Sequence, residues 1–336
     1  MKISGEPNIK KLNKKDSVKT NSCFSNAILN RNYSLLILMV VMVVIPLITS
    51  SDYFLRVVAL VWIMSIAAVG LQVIMGMAGQ ISLGHAGFFG IGAYAVAVLP
   101  VKFGFSVWLA TPVGILASGL IAYLVGKPIL RLRGHYLAIA TLGFSLLVGL
   151  VITGEALVTG GPDGMSVQPL NIAGHDLVSV ISWYWISCFI LILVMWMTLM
   201  LRDSPSGRAL RAVLGSEVAA SSMGVNVATR KLQAFIIAAV FAAIGGCVLA
   251  LMNGFVTPDI AGFMMSVEFV AMVVLGGLAS PFGAIVGAAL LTLLPQFLAS
   301  FFEYQEAVIG LVIMATMVFL RRGIIPTIAY WISGKE

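Results

Sequence analysis

Charge is what this 336-residue chain holds least of: Lys, Arg, Asp and Glu together make up 10% of it, and only 13 residues are acidic. So few charges could not keep a soluble surface wet beside a 60% hydrophobic composition and a mean hydropathy of +1.06. Cysteine is nearly missing as well. Cys23, Cys188 and Cys247 are the three present, none at metal-ligand spacing, so neither a disulfide framework nor a metal site is indicated. No G-x-x-x-x-G-K-[ST] phosphate loop occurs, so ATP is not bound here by that route. Gly143-Phe144-Ser145 lies in an apolar run and raises an intramembrane serine protease. His85 and His135 fall near the ends of their runs, however, and no oxyanion constellation accompanies them, so no catalytic residue is assigned.

What is present is a series of long apolar runs. About 20 apolar residues span a bilayer core as a helix, and strands of a barrel would alternate rather than run unbroken. The expected fold is an all-α polytopic bundle of about ten spans: 33–50, 55–75, 84–100, 106–126, 135–153, 180–201, 232–252, 262–278, 283–301 and 306–320. The third is short and glycine-laden, which suggests a broken or re-entrant element and leaves the count at eight to ten. The run 35–48 lacks a convincing small-x-small cleavage site and reads as a retained anchor.

Charge placement supports this count. With both termini cytosolic, every Lys and Arg except Arg56 and Lys102 falls on the inside, and the longest external connection, 154–179, carries none. This is the asymmetry of the positive-inside rule. Residues 1–32 are polar, basic and without hydrophobic period, as in a disordered cytosolic tail. Residues 33–323 form the membrane domain and 324–336 a cytosolic C-terminal tail. The net charge of +7 fits an anionic cytoplasmic leaflet and partners there, not nucleic acid.

The loop 202–231 is the long polar interruption between spans. It carries Arg202, Arg208, Arg211, Arg230 and Lys231 against Asp203 and Glu217. Ser204-Pro205 reads as an N-cap and first-turn pair, Gly215-Ser216 as a stop and second N-cap, and Gly224 as the close of that second helix. Glu217 would sit at the positive end of the helix dipole. The loop is therefore expected to hold short ordered helices, either as a passive connector or as a grip for a cytosolic partner.

Two elements are dense in glycine. GQISLGHAGFFGIGAY, from Gly79, adds Gln80, Ser82 and His85; LGGLASPFGAIVGA, from Leu275, contains Gly276, Gly277 and a GxxxG step at Gly283 and Gly287. Such glycines either close helix contacts or permit a backbone break beside a translocation path. Glu268 is the only carboxylate assigned inside a span, about one turn from its external end. At depth it costs at least about 2.5 kcal/mol on insertion scales, so it should face the interior, pair or be protonated. One carboxylate is thin support for an ion-coupled secondary carrier or a stand-alone channel, the competing class.

Five segments in order resemble the branched-chain amino acid ABC transporter permeases, specifically the LivM-type subunit. They are GQISLGHAGFFGIGAY from Gly79, RLRGHYLAIATLGF from Arg131, TGGPDG from Thr159, GRALRAVLGSEVAASSMGVN from Gly207 and SVEFVAMVVLGGL from Ser266. The resemblance runs from about Gly70 to Gly323 and leaves out the N-terminal tail. It implies that Glu217, Ala219, Ala220 and Gly224 form an EAA-like coupling helix for an ATPase, with Val218 where alanine is common, and that Arg208 and Arg211 meet acidic ATPase surface. Gln80, Ser82, His85, Thr141, Glu268, Gly276 and Gly277 become candidates for the translocation path. Gly160, Gly161 and Asp163 become candidates for docking a binding protein, although a rigid turn explains them equally.

The implied assembly contains a second homologous permease, two ATPase subunits and an external substrate-binding protein, embedded in the lipid of a bacterial inner membrane. No cofactor is expected in this chain, since ATP and Mg²⁺ would sit on the ATPase subunits. The implied cargo is leucine, isoleucine and valine, with urea, short amides or other amino acids as alternatives.

Overall fold

The computed structural model describes residues 33–49, 51–132, 134–172, 175–176 and 179–297, with 310, 311, 314, 323–325 and 327 as isolated positions beyond. The N-terminal tail, most of the tenth expected span and most of the C-terminal tail lie outside the described residues. Two compact units divide after Thr49. The described part of the first is one apolar helix, α1 (Tyr33–Ile48).

The second unit is a helical bundle. In chain order it contains α2 (Asp52–Gln72), α3 (His85–Phe103), α4 (Val107–Ile129), α5 (His135–Gly154), the single turn α6 (Ala156–Thr159) and α7 (Val180–Asp203). Then come the short α8 (Pro205–Gly215) and α9 (Glu217–Ser222), followed by α10 (Val227–Asn253), α11 (Phe263–Gly276) and α12 (Pro281–Phe297). A five-residue π-helical turn, Val73–Met77, extends α2. Six of these helices are long and apolar enough to cross a membrane; α1, α11 and α12 are shorter apolar helices. The protein is thus an all-α, multi-pass membrane protein, and its helices coincide with nine of the ten apolar runs.

The third run differs in one respect from a broken span. The break precedes it: residues 79–84 are non-helical, and α3 then runs unbroken for 19 residues. Proline at position 100 does not end it, and Gly104, in the left-handed region at φ +68°, does.

Burial separates a core from a rim. The membrane segment of α2 is 89% buried and that of α10 is 72% buried, whereas α4 and α5 reach only 28% and 22%. α10 packs on α2, α3 and α4, while α2 also holds α7 and α12. Glycine makes the tightest crossing possible. A Cβ at Gly246 of α10 would overlap the carbonyl of Phe89 in α3, and one at Gly92 would overlap the backbone of Ala243. The Cys247 thiol donates to the Gly92 carbonyl across the same contact, at 3.1 Å.

The ends of the helices sort into two sets. At one end Tyr53 donates to Gln296, Arg56 to Asn253 and Trp108 to the Asn171 carbonyl. There the strand β1 (Met165–Ser166) also pairs antiparallel with β4 (Phe255–Val256), and β2 (Asn171–Ile172) pairs with β3 (His175–Asp176). At the other end Gln72 donates to the Leu278 carbonyl, and Lys231 meets Glu217. Each contact joins positions that the alternation of spans assigns to one side, an agreement independent of charge counting.

Candidate functional site: the polar platform and the segments around it

The interruption at 202–231 folds as its cap residues require. The Ser204 hydroxyl accepts from the Gly207 amide at 3.1 Å and opens α8 with Pro205 in its first turn. The Ser216 hydroxyl accepts from the Ala219 amide at 3.3 Å and opens α9. Gly224, at φ +82°, turns the chain out of α9, and the Val225 amide then donates back to the Ala220 carbonyl at 3.0 Å. A six-residue helix is not stable alone. Three things hold this one: its cap, the burial of Ala220, and a 2.5 Å ion pair from Glu217 to Lys231 in the first turn of α10.

The platform has an inner and an outer face. Gly207, Leu210 and Val213 of α8 are buried, and α8 packs on α7, α10 and the π-helical turn after α2. Leu214 lies against Gly79, at the start of the non-helical segment. Outward, Val218 and Met223 expose 77% and 86% of their surface, and Arg208, Arg211 and Ala219 are exposed. Ala220 is buried within its own chain, where it helps seat α9, and Glu217 pairs with Lys231 while keeping 41% of its side chain exposed. Val218 and Met223, the prominent apolar groups, were not among the expected contact residues, although an exposed apolar residue on each side of an alanine pair is a readable signal.

Of the seven expected path residues, four lie on the segment after Gly79 and on the part of α5 that it touches. Gln80, Ser82, His85 and Thr141 are all buried, at 5% exposure or less. His85 Nε2 is 2.9 Å from the Ala67 carbonyl of α2, and its ring meets Phe269 edge-on. The Thr141 hydroxyl accepts from the Leu83 amide at 3.0 Å and donates to the Ala138 carbonyl at 2.9 Å, which ties the 79–84 segment to α5. Gly276 fits against Gly283 where α11 and α12 meet, and Gly277, at φ +109°, makes the turn between them. Glu268 does not face the interior of this chain: it is exposed on the side of α11.

At the opposite end, Gly160 and Gly161 take positive φ and lead into a 3-10 turn, Gly161–Asp163. The Thr159 hydroxyl donates to the Glu155 carbonyl at 2.9 Å and accepts from the Gly161 amide at 3.3 Å. Pairing of β1 with β4 clamps the far side of the turn, leaving Asp163 exposed on a rigid knuckle.

A many-helix membrane bundle with a two-helix polar platform at its basic end, exposed yet anchored to its central helices, has the architecture of a permease subunit. The comparisons agree. Residues 53–319 match the family described as branched-chain amino acid transport system / permease component, and the chain belongs to that family. It is 34% identical over 285 residues, 78% of this chain and 67% of the relative, to the high-affinity branched-chain amino acid transport system permease protein LivM of Salmonella typhimurium. It is 25% identical to the permease protein LivH of Escherichia coli, over 78% of this chain and 90% of the relative. An autoinducer 2 import system permease protein, LsrC of Yersinia pseudotuberculosis, is 28% identical over 61% of this chain and 62% of its own length. No solved structure gives a significant match.

Proposed function

We propose that this chain is the permease subunit of an ATP-binding cassette importer that carries leucine, isoleucine and valine across a bacterial inner membrane. The observation that carries the reading is α9. It is exposed on one face and fastened on the other to α10, a central helix, through Lys231 and Glu217. α8 adds a second attachment, to the π-helical turn of α2. Displacement of the platform would therefore act on the two most buried helices of the bundle. Closure of an ATPase dimer would pull Val218, Met223 and the exposed arginines, and tilt α2 and α10 between inward-open and outward-open arrangements. π turns within a helix are frequent at functional sites.

The basic end is then cytosolic, with both termini on that side and about ten spans, because Lys127, Arg131 and the arginines of the platform lie there and, among the described residues, only Arg56 and Lys102 lie opposite. Glu268 argues for a second permease. A carboxylate exposed on a short apolar helix would be costly against lipid, so its face is covered by a homologous subunit or lines the passage between the two. The knuckle at Asp163 is where an external binding protein would dock. ATP and Mg²⁺ belong to the two ATPase subunits, and this chain itself carries no cofactor. Selection among substrates rests mainly on the binding protein; the similar protein LsrC belongs to an autoinducer 2 import system.

The test is reconstitution of the chain alone and with the second permease, ATPases and binding protein in vesicles, followed by labelled leucine uptake. Uptake only by the full complex, and only with ATP, is expected. Uptake by the chain alone without ATP would establish a stand-alone carrier instead.

A further inference from the structure

A cleft of about 730 Å³ opens at the basic end between the end of α4, α9 and the first turn of α10. Its walls carry Lys127, Arg131 and Lys231 against one carboxylate, Glu217. Lys231 and Glu217 neutralise each other. Lys127 and Arg131 are exposed and, among the described residues, form no ion pair. The cleft therefore keeps an excess of two positive charges, and their position explains which anion fits.

Lys127 continues the stripe of α4 that carries Leu116, Leu120 and Leu124, since steps of three or four residues return to one helix face, and Arg131 lies in the turn just past the end of α4. Those leucines expose 72%, 60% and 59% of their surface. An apolar stripe that ends in two unpaired cations at the rim of a cleft complements a molecule with hydrocarbon chains and an anionic head. An acidic protein surface would satisfy the cations but not the stripe. We infer that the cleft holds the headgroup of an anionic phospholipid whose acyl chains lie along Leu116, Leu120 and Leu124. Basic pockets between spanning helices recognise such headgroups by charge, and phosphate oxygens suit the forked donors of Arg131. The bound lipid would brace α9 against α4 through the cleft wall.

This inference needs only the multi-pass membrane reading, not the transport cycle. The full chain is extracted from vesicles of equal phosphatidylglycerol and phosphatidylcholine, and retained lipid is counted by native mass spectrometry. The wild type is expected to retain phosphatidylglycerol preferentially. The double change Lys127→Gln with Arg131→Gln should lower that retention about 10-fold, and Lys127→Arg with Arg131→Lys should keep it. Millimolar inorganic phosphate should not displace the lipid; displacement would mean a free-anion site and overturn the assignment. Equal retention of the two lipids, or a preference indifferent to the glutamine pair, would also overturn it. So would a glutamine pair that loses ATPase binding with lipid retention unchanged, since the occupant would then be protein. Lipid preference in a chain that fails ATP-driven uptake would sink the transport reading and leave this one standing.

Discussion

Removing Glu217 strands a cation. Lys231 is 4% exposed, while its partner's side chain is 41% exposed, so the two members of the pair do not depend on each other equally. Breaking a fully buried pair costs about 3–5 kcal/mol, and half exposure of one member together with the open cleft beside Lys231 reduces that to about 2 kcal/mol for Glu217→Ala. Lys231→Met leaves only a carboxylate that water can reach, at a cost below about 1 kcal/mol. The loss falls on the docking of α9, whose six residues have little helix stability of their own. Two kcal/mol corresponds to about a 30-fold change in the docked-to-released ratio. Hydrogen exchange of the amides from 218 to 225 should therefore accelerate about 30-fold in Glu217→Ala and only a few-fold in Lys231→Met. Exchange within α2 and α10 should stay unchanged in both. Equal exchange in the wild type and Glu217→Ala, or greater damage from Lys231→Met, would refute the reasoning.

Other perturbations test the supports around the platform. Ser204→Ala removes the cap of α8 and should cost about 1 kcal/mol, read as faster exchange at the Gly207 amide. Thr141→Val keeps the shape but leaves the Leu83 amide without its acceptor; about 1–2 kcal/mol should be lost from the thermal stability of the solubilised protein, with proteolysis rising at 79–84. Gly246→Val drives a side chain into the Phe89 carbonyl and should cost about 3 kcal/mol or more, whereas Gly143→Ala, with nothing within 4 Å of the added carbon, should be neutral or slightly stabilising. Paired thermal melts of these two variants read the difference directly.

Local chemistry was the legible part of this protein. Ser204-Pro205, Gly215-Ser216 and Gly224 each act through a bond to a residue at most three positions away or through their own φ, so caps and turn could be read before any tertiary contact existed. Apolar runs were legible for the same reason, since length and composition decide whether a helix suits a bilayer. Pairings across sequence were not. Nothing in the spacing of Glu217 and Lys231, fourteen residues apart across a turn, marks them as partners, and the pairing of β1 with β4 joins segments about ninety residues apart. The glycines after Gly79 were ambiguous because the same residue type serves two uses here: a backbone break at 79–84 and, at Gly92, close approach inside a continuous helix. Glu268 could not be placed from sequence because the surface it faces is completed by another chain in the proposed assembly, a property no single sequence contains.

The claim on which the account turns is that the exposed face of α9 receives force from an ATPase. Val218→Asp changes that face, and the rim of the basic cleft that Val218 also lines, without removing a cap or ion pair, because Val218 is 77% exposed. The most direct measurement is ATP-driven leucine uptake by vesicles holding the complete complex, with wild-type or Val218→Asp permease incorporated in equal amounts. The account predicts that uptake falls at least about 10-fold, as expected for a charge buried at a tight protein contact, while the variant's thermal stability matches the wild type. Uptake equal to the wild type would contradict it.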